Sequence, residues 1–144
     1  MLIQLTSDQI AKHWDIIKVA IEDCMPPLSH ITVDTMNRVL ELLLTGNMHC
    51  WVYQNDERKI IAVVVTTFYY DYPSATQDLL LYAVWGANLS EGVWTDGFTT
   101  LMRFAEANNC KTIYGFTSAP ELVELAKHFG AQTQTYIGIP VREV

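Results

Sequence analysis

Four histidines and three cysteines are the side chains here that could hold a metal or supply a nucleophile. His13, His30, His49 and His128 form neither an H-x-x-x-H nor an H-E-x-x-H pair, so no two of them share a helix face as zinc ligands do. His49 and Cys50 are neighbours in a segment that reads as a strand, which sends them to opposite faces. His128 falls near a helix C-terminus, where a cation complements the dipole. Cys24, Cys50 and Cys110 are odd in number and contain no C-x-x-C pair, the usage of a reducing compartment in which each thiol acts as a small buried hydrophobe. No G-x-S-x-G elbow, phosphate-binding Walker loop or G-x-G-x-x-G fingerprint occurs. No metal site is expected.

The chain has 144 residues, half of them hydrophobic and 17% charged, which excludes a disordered or fibrous protein. Residues 1–144 read as one domain, without internal repeat, low-complexity stretch or linker. Nine basic against sixteen acidic residues give a formal charge of −7. That balance speaks against a nucleic-acid binder and against docking on an anionic membrane. The longest apolar runs, 60–65 and 79–81, are too short to span a bilayer. The opening residues carry no basic segment followed by an apolar one, so no signal peptide is read and a cytoplasmic location is expected.

The elements that must position any site follow from periodicity and punctuation. Residues 2–5 can form a short strand. Thr6 and Gln9 then match a capping box, and Ile10, Trp14, Ile17 and Ile21 line one helix face, giving a helix over 8–24. Pro26 and Pro27 end it. A second helix over 33–45 carries Met36, Val39, Leu40 and Leu43 and stops at Gly46-Asn47. Strands follow at 48–54 and 59–70 around the polar tip 55–58, and a third at 78–85. Their runs Val63-Val64-Val65 and Leu79-Leu80-Leu81 predict cover on both sheet faces. A helix over 94–108, a strand over 111–117, a helix over 120–129 and a last strand over 132–141 complete the chain. The expected class is α/β: a mixed, mostly antiparallel sheet of about six strands between four helices.

This order resembles the GNAT N-acetyltransferase superfamily. Three stretches carry the resemblance: KIIAVVVTTFYY at the family's long central strand, DLLLYAVWG before a loop and long helix, and PELVELAKHFGA at the closing helix. Within the superfamily the chain looks most like short GNAT-like proteins of tailed bacteriophages, on the pieces Trp51-Val52-Tyr53, Ala62-Val63-Val64-Val65-Thr66 and the segment 101–110 ending at Cys110.

The resemblance implies an acetyl-CoA pyrophosphate loop at Asn88-Leu89-Ser90-Glu91-Gly92-Val93, where helix amides meet the anion. In an active enzyme Asn88 and the amides of Gly92 and Val93 would hold the cofactor. This chain lacks the family's Gln or Arg and its second small residue, and Glu91 and Asp96 put negative charge there. The competing reading is that Ser90, Glu91 and Asp96 cap the helix and complement its dipole. Ala126 occupies the family's usual general-acid Tyr position, and Ala119, beside Ser118, falls near its Asn. Tyr82 or Tyr114 could replace the acid only if it points into the cleft. Asp78 or Glu91 would serve as base, although Asp71 and Asp78 also fit ordinary turn chemistry.

The expectation is therefore a degenerate acetyltransferase-fold protein of bacteriophage type, without cofactor, serving as an accessory or structural factor in the virion or the host cytoplasm. Its partners would be proteins, either other phage proteins or copies of itself. The alternative is an active N-acetyltransferase moving acetyl from acetyl-CoA to an amine. Tyr69, Tyr70, Tyr72 and Pro73 form a candidate contact corner, which Trp51 and Tyr53 would extend if no helix covers them.

Overall fold

The computed structural model of the chain describes residues 1–26, 30–86, 89–117 and 120–142. Its elements are β1 (Ile3–Gln4), α1 (Ser7–Lys12), α2 (Trp14–Asp23), α3 (Val33–Leu44), β2 (His49–Gln54), β3 (Ile60–Asp71), β4 (Thr76–Gly86), α4 (Glu91–Ala107), β5 (Cys110–Gly115) and α5 (Pro120–His128). The strands lie in chain order, β1-β2-β3-β4-β5. All pairs are antiparallel except β4 with β5, which α4 joins as a crossover.

The continuous valines of β3 are explained by two apolar layers. Val63 and Val65 pack with Ile17 and Ile21 of α2 and with Met36, Val39 and Leu43 of α3. Val64 faces the other way, with Trp51, Leu79 and Leu81 against Leu101 and Ala105 of α4. Each face of the central strands is thus buried under helix, as the unbroken runs predict.

Helix starts follow local chemistry. Thr6 and Gln9 close the expected capping box, at 3.3 Å from the Gln9 N–H to Thr6 Oγ1 and 2.9 Å from the Thr6 N–H to Gln9 Oε1. The single helix expected over 8–24 is two helices meeting at His13, where φ is −106° and ψ is 15°. That bend lets Ile10 of α1 and Ile17 and Ile21 of α2 enter one core. Gly46, with φ of +80°, stops α3 as its position suggests. Among the described residues, five helices therefore stand where four were expected.

The last strand is the other correction. Residues 132–141 alternate apolar side chains, yet they join no strand of the sheet, which has five members instead of about six. Alternation specifies a face, but a strand also needs a partner edge. Tyr136 touches Phe116, just beyond β5, with ring centroids 5.5 Å apart, and Ile137, Ile139 and Val141 stand in solvent.

Candidate functional site

β4 and β5 pair only along the first half of β4. Their ladder runs from Gln77 opposite Cys110 to Leu81 opposite Gly115, while β4 continues to Gly86. Where that ladder ends, the β3–β4 register also slips: Val65 pairs with Ala83 and Thr66 with Leu81, leaving Tyr82 as the extra residue of a β-bulge. The bulge turns both Tyr82 and Ala83 toward the α1–α3 layer. β5 ends at Gly115, so beyond the bulge β4 has no partner on that side among the described residues, an opening in the ladder.

The named acid and base residues do not converge on this opening. Tyr82 sits half-buried at the bulge. Asp78 is buried near the start of β4, opposite Tyr69, and lies roughly 13 Å from Tyr82 at the rise of an extended strand. Glu91 stands in the first turn of α4, on a groove that neither Asp78 nor Tyr82 lines. Ala126, in α5, brings no proton donor.

The α4 N-terminus is closed by its own sequence. The Val93 N–H lies 3.3 Å from Ser90 Oγ and donates to it, so Ser90 is the cap and α4 starts at Glu91, earlier than expected. Glu91 occupies the first turn, and Asp96 falls in the second. Gly92 has open space beside it: an added Cβ would meet only Ser90 Oγ, at 3.9 Å. Gly86 is the tighter position. A Cβ there would lie 2.7 Å from Leu89 Cδ1 and 3.1 Å from the Trp94 ring, so these side chains fill the end of β4. Asn88, Ser118 and Ala119 lie outside the described residues.

A groove of about 310 Å³ runs between the first turn of α4 and α5. Leu89, Trp94, Leu122 and Leu125 give it an apolar floor, while Glu91, Glu121, Glu124 and His128 give it polar walls. Glu124 is paired with Lys127 at 3.3 Å, and the carboxylates of Glu91 and Glu121 still make this a poor seat for a polyanion. The α5 wall was missed in the sequence, although Glu121, Glu124, Leu125 and His128 have the spacing of one helix face. No group of three or more His, Cys, Asp or Glu among the described residues could hold a metal ion.

Two regions away from the groove also carry functional chemistry. On the α4 face, Thr66 Oγ1 accepts from Trp51 Nε1 at 3.0 Å and lies 3.1 Å from His49 Nδ1. His49 and Trp51 in turn pack against Phe104, with centroids 5.2 and 4.9 Å apart. Burial holds the His49 pKa below its ordinary value, outweighing the hydrogen bond to Thr66 that raises it. Trp51 is thus buried and Tyr53 half-buried, and neither extends the tyrosine corner. The corner itself is open: Tyr69, Tyr70 and Tyr72 are all exposed, with Tyr70 and Tyr72 edge-to-face at 4.9 Å. Only Cys50 is a fully buried thiol, its pKa pushed up to about 12 by burial. Cys24 and Cys110 are half-buried, and burial with the Asp23 charge pushes Cys24 up to about 11. At neutral pH neither Cys24 nor Cys50 is a thiolate nucleophile.

No family model matches the chain, and no curated protein matches it by sequence. Solved structures do match by shape. A probable acetyltransferase superposes with a TM-score of 0.74 at 11% identity, covering 100% of this chain and 99% of the other. A predicted acetyltransferase with acetyl-CoA from Clostridium acetobutylicum gives 0.72 at 16% identity, over 98% and 96%. An aminoglycoside acetyltransferase from an uncultured soil sample, in complex with sisomicin, gives 0.73 at 12% identity, over 99% and 96%. These likenesses establish that the chain, with its mixed five-stranded sheet among the described residues, has a GNAT-like acetyltransferase fold.

Proposed function

We propose that this chain is a degenerate acetyltransferase-fold protein that acts through protein contacts, as an accessory or structural factor. The observation that carries the reading is the acidic, self-capped start of α4: the Val93 amide already donates to Ser90, and Glu91, Glu121 and Glu124 line the adjoining groove. A CoA pyrophosphate needs free amides and a positive field at that place, so the residues present do not fit it. The exposed Tyr69, Tyr70 and Tyr72 supply rigid amphipathic area of the kind that anchors interfaces. The bacteriophage setting rests on the resemblance of the short segments 51–53, 62–66 and 101–110. Titration calorimetry with acetyl-CoA tests the reading: no heat at millimolar ligand is expected, and micromolar binding would overturn it.

The second reading is an active N-acetyltransferase. Three observations favour it: the bulge at Tyr82, the end of β5 halfway along β4, and the unfilled space beside Gly92. Discharge of acetyl-CoA thiol in the presence of a panel of primary amines would establish this reading in place of the first.

A further inference from the structure

The groove between α4 and α5 holds apolar side chains in place without covering them. Leu122 and Leu125 stand three residues apart on one face of α5, and Leu89 and Trp94 line the α4 side. Leu125 is buried, whereas Leu89, Trp94 and Leu122 are only half-buried. With Ser90 as the cap, Leu89 and Trp94 fall at the two positions that a hydrophobic staple joins, and both crowd against Gly86 at the end of β4. The same two side chains wall the small apolar cavity under α4, together with Phe98 and Leu101. The Trp94 ring is thus fixed by its packing before anything binds. The rim is acidic and open. Glu91 comes from α4 and Glu121 from α5, both exposed and neither in an ion pair among the described residues, while Glu124 is held by Lys127. No Lys or Arg lines the groove, and His128 is its single basic residue.

We propose that this groove seats a basic amphipathic helix of a partner protein, whose apolar side chains cover Trp94 and Leu122 while its Lys or Arg side chains meet Glu91 and Glu121. Such docking deepens the contact function proposed above and rests on it, because it puts a protein segment where a cofactor would otherwise lie. Charge selects the occupant. A second copy carries −7 and would bring like charge to two unpaired carboxylates. An uncharged apolar segment would strip water from those carboxylates without replacing it, and a purely polar cation would leave the leucines and the indole wet. A segment with both features satisfies floor and rim together. The two free carboxylates stand on different helices, so a segment with several basic side chains can meet both where a single small amine meets one. The walls are helices and offer no strand edge, so the entering segment must satisfy its own backbone hydrogen bonds, as a helix does. The tyrosine corner adjoins the first residues of β4 and the groove adjoins its last, which leaves the corner free for a separate contact.

Titration calorimetry of the whole chain tests it with a capped peptide of about 14 residues that has leucines at i, i+3, i+4 and i+7 and lysines on the opposite face. Two control peptides keep the spacing, one with Glu in place of Lys and one with Ser in place of Leu. The Leu–Lys peptide is expected to bind with a Kd of about 10 µM and to shift the indole N–H resonance of Trp94. Each control should bind at least about 10-fold more weakly, and Glu91→Gln with Glu121→Gln should weaken the Leu–Lys peptide about 10-fold or more. Both carboxylates are exposed, so the thermal midpoint of this variant should hardly move. Four results would overturn the proposal: no heat from the Leu–Lys peptide at about 1 mM, a control that binds as tightly, a double variant that binds undiminished, or 2-phenylethylamine binding as tightly as the peptide. The last would assign the groove to a small cation. Acetyl-CoA titrated in parallel separates the two readings. Silence from both ligands removes the helix site and leaves the contact function standing, whereas micromolar acetyl-CoA binding overturns the contact function and the helix site with it.

Discussion

The first 86 residues and the remainder of the chain are built on different terms. Up to Gly86, α2, α3 and three long strands bury side chains against one another on both sheet faces, with Ile17, Ile21, Val65 and Leu79 fully enclosed. Beyond Gly86 only Leu101, Ala105 and Leu125 are buried among the described residues. The earlier region makes its own core, while the later one is attached through one face of α4, a β5 ladder along half of β4 and a single leucine of α5. Most of the buried core thereby lies before Gly86.

The sharpest way to break this comparison is to hollow out each region in turn. Leu79→Ala or Ile17→Ala should cost about 2–5 kcal/mol in chemical denaturation, whereas Ile137→Ala or Ile139→Ala should cost roughly nothing in a dilute sample. An equal loss in both regions would show that the C-terminal segment is core after all. Next comes the polar knot under α4. Thr66→Val leaves the Trp51 indole without its acceptor and should cost about 1–3 kcal/mol. His49 belongs to the same knot and adds a pH signature. Its folded pKa lies below the unfolded one, so the unfolded state binds more protons in acid. Neutral His49 therefore supports the fold above the unfolded value of about 6.5, and that support fades as pH falls through the lowered folded value. Thermal midpoints should drop over that window, and His49→Phe should flatten the drop.

The later region should respond more weakly. Ser90→Ala removes the α4 cap and should cost about 1 kcal/mol. It also releases the Val93 amide; if acetyl-CoA still gives no heat, the carboxylates of the groove are the stronger barrier. The smallest effect is expected at the hairpin corner. Tyr70→Ser with Tyr72→Ser should shift stability by less than about 0.5 kcal/mol each, because both rings are exposed. Loss of a captured partner with unchanged melting would assign the corner to contact; a large melting change would return it to the core.

Much of this architecture was legible because it is encoded locally. The valine run 63–65, the leucines at 79–81 and the Thr6–Gln9 capping box each state their own conformation within a few residues. What escaped depends on residues distant in sequence. The bulge at Tyr82 exists only in the register between β3 and β4, and no residue type in DLLLYAVW marks it. The filling of the β4 end by Leu89 and Trp94 needs α4 folded back over Gly86. The break at His13 follows from how two helices share one core, and capping at Thr32 uses Thr35 where Glu or Gln would be the usual signature. The tail at 132–141 has the right alternation but joins no strand of the sheet, and alternation alone cannot show whether an edge is met.

The single parallel pairing has a consequence for how the chain reaches its structure. β2, β3 and β4 are joined by tight turns: Asn55 Oδ1 accepts the Glu57 and Lys59 N–H groups in one, and Asp71 holds Ser74 in the other. Such hairpins close short loops at small entropic cost, so the meander can assemble early. The β4–β5 ladder must wait until the whole of α4 has crossed over, and it is short once made. Synthesis also proceeds in that order. The meander would thus be in place while α5 and the tail are still being added, and pulse-labelled exchange should find the β2–β4 amides protected before those of β5.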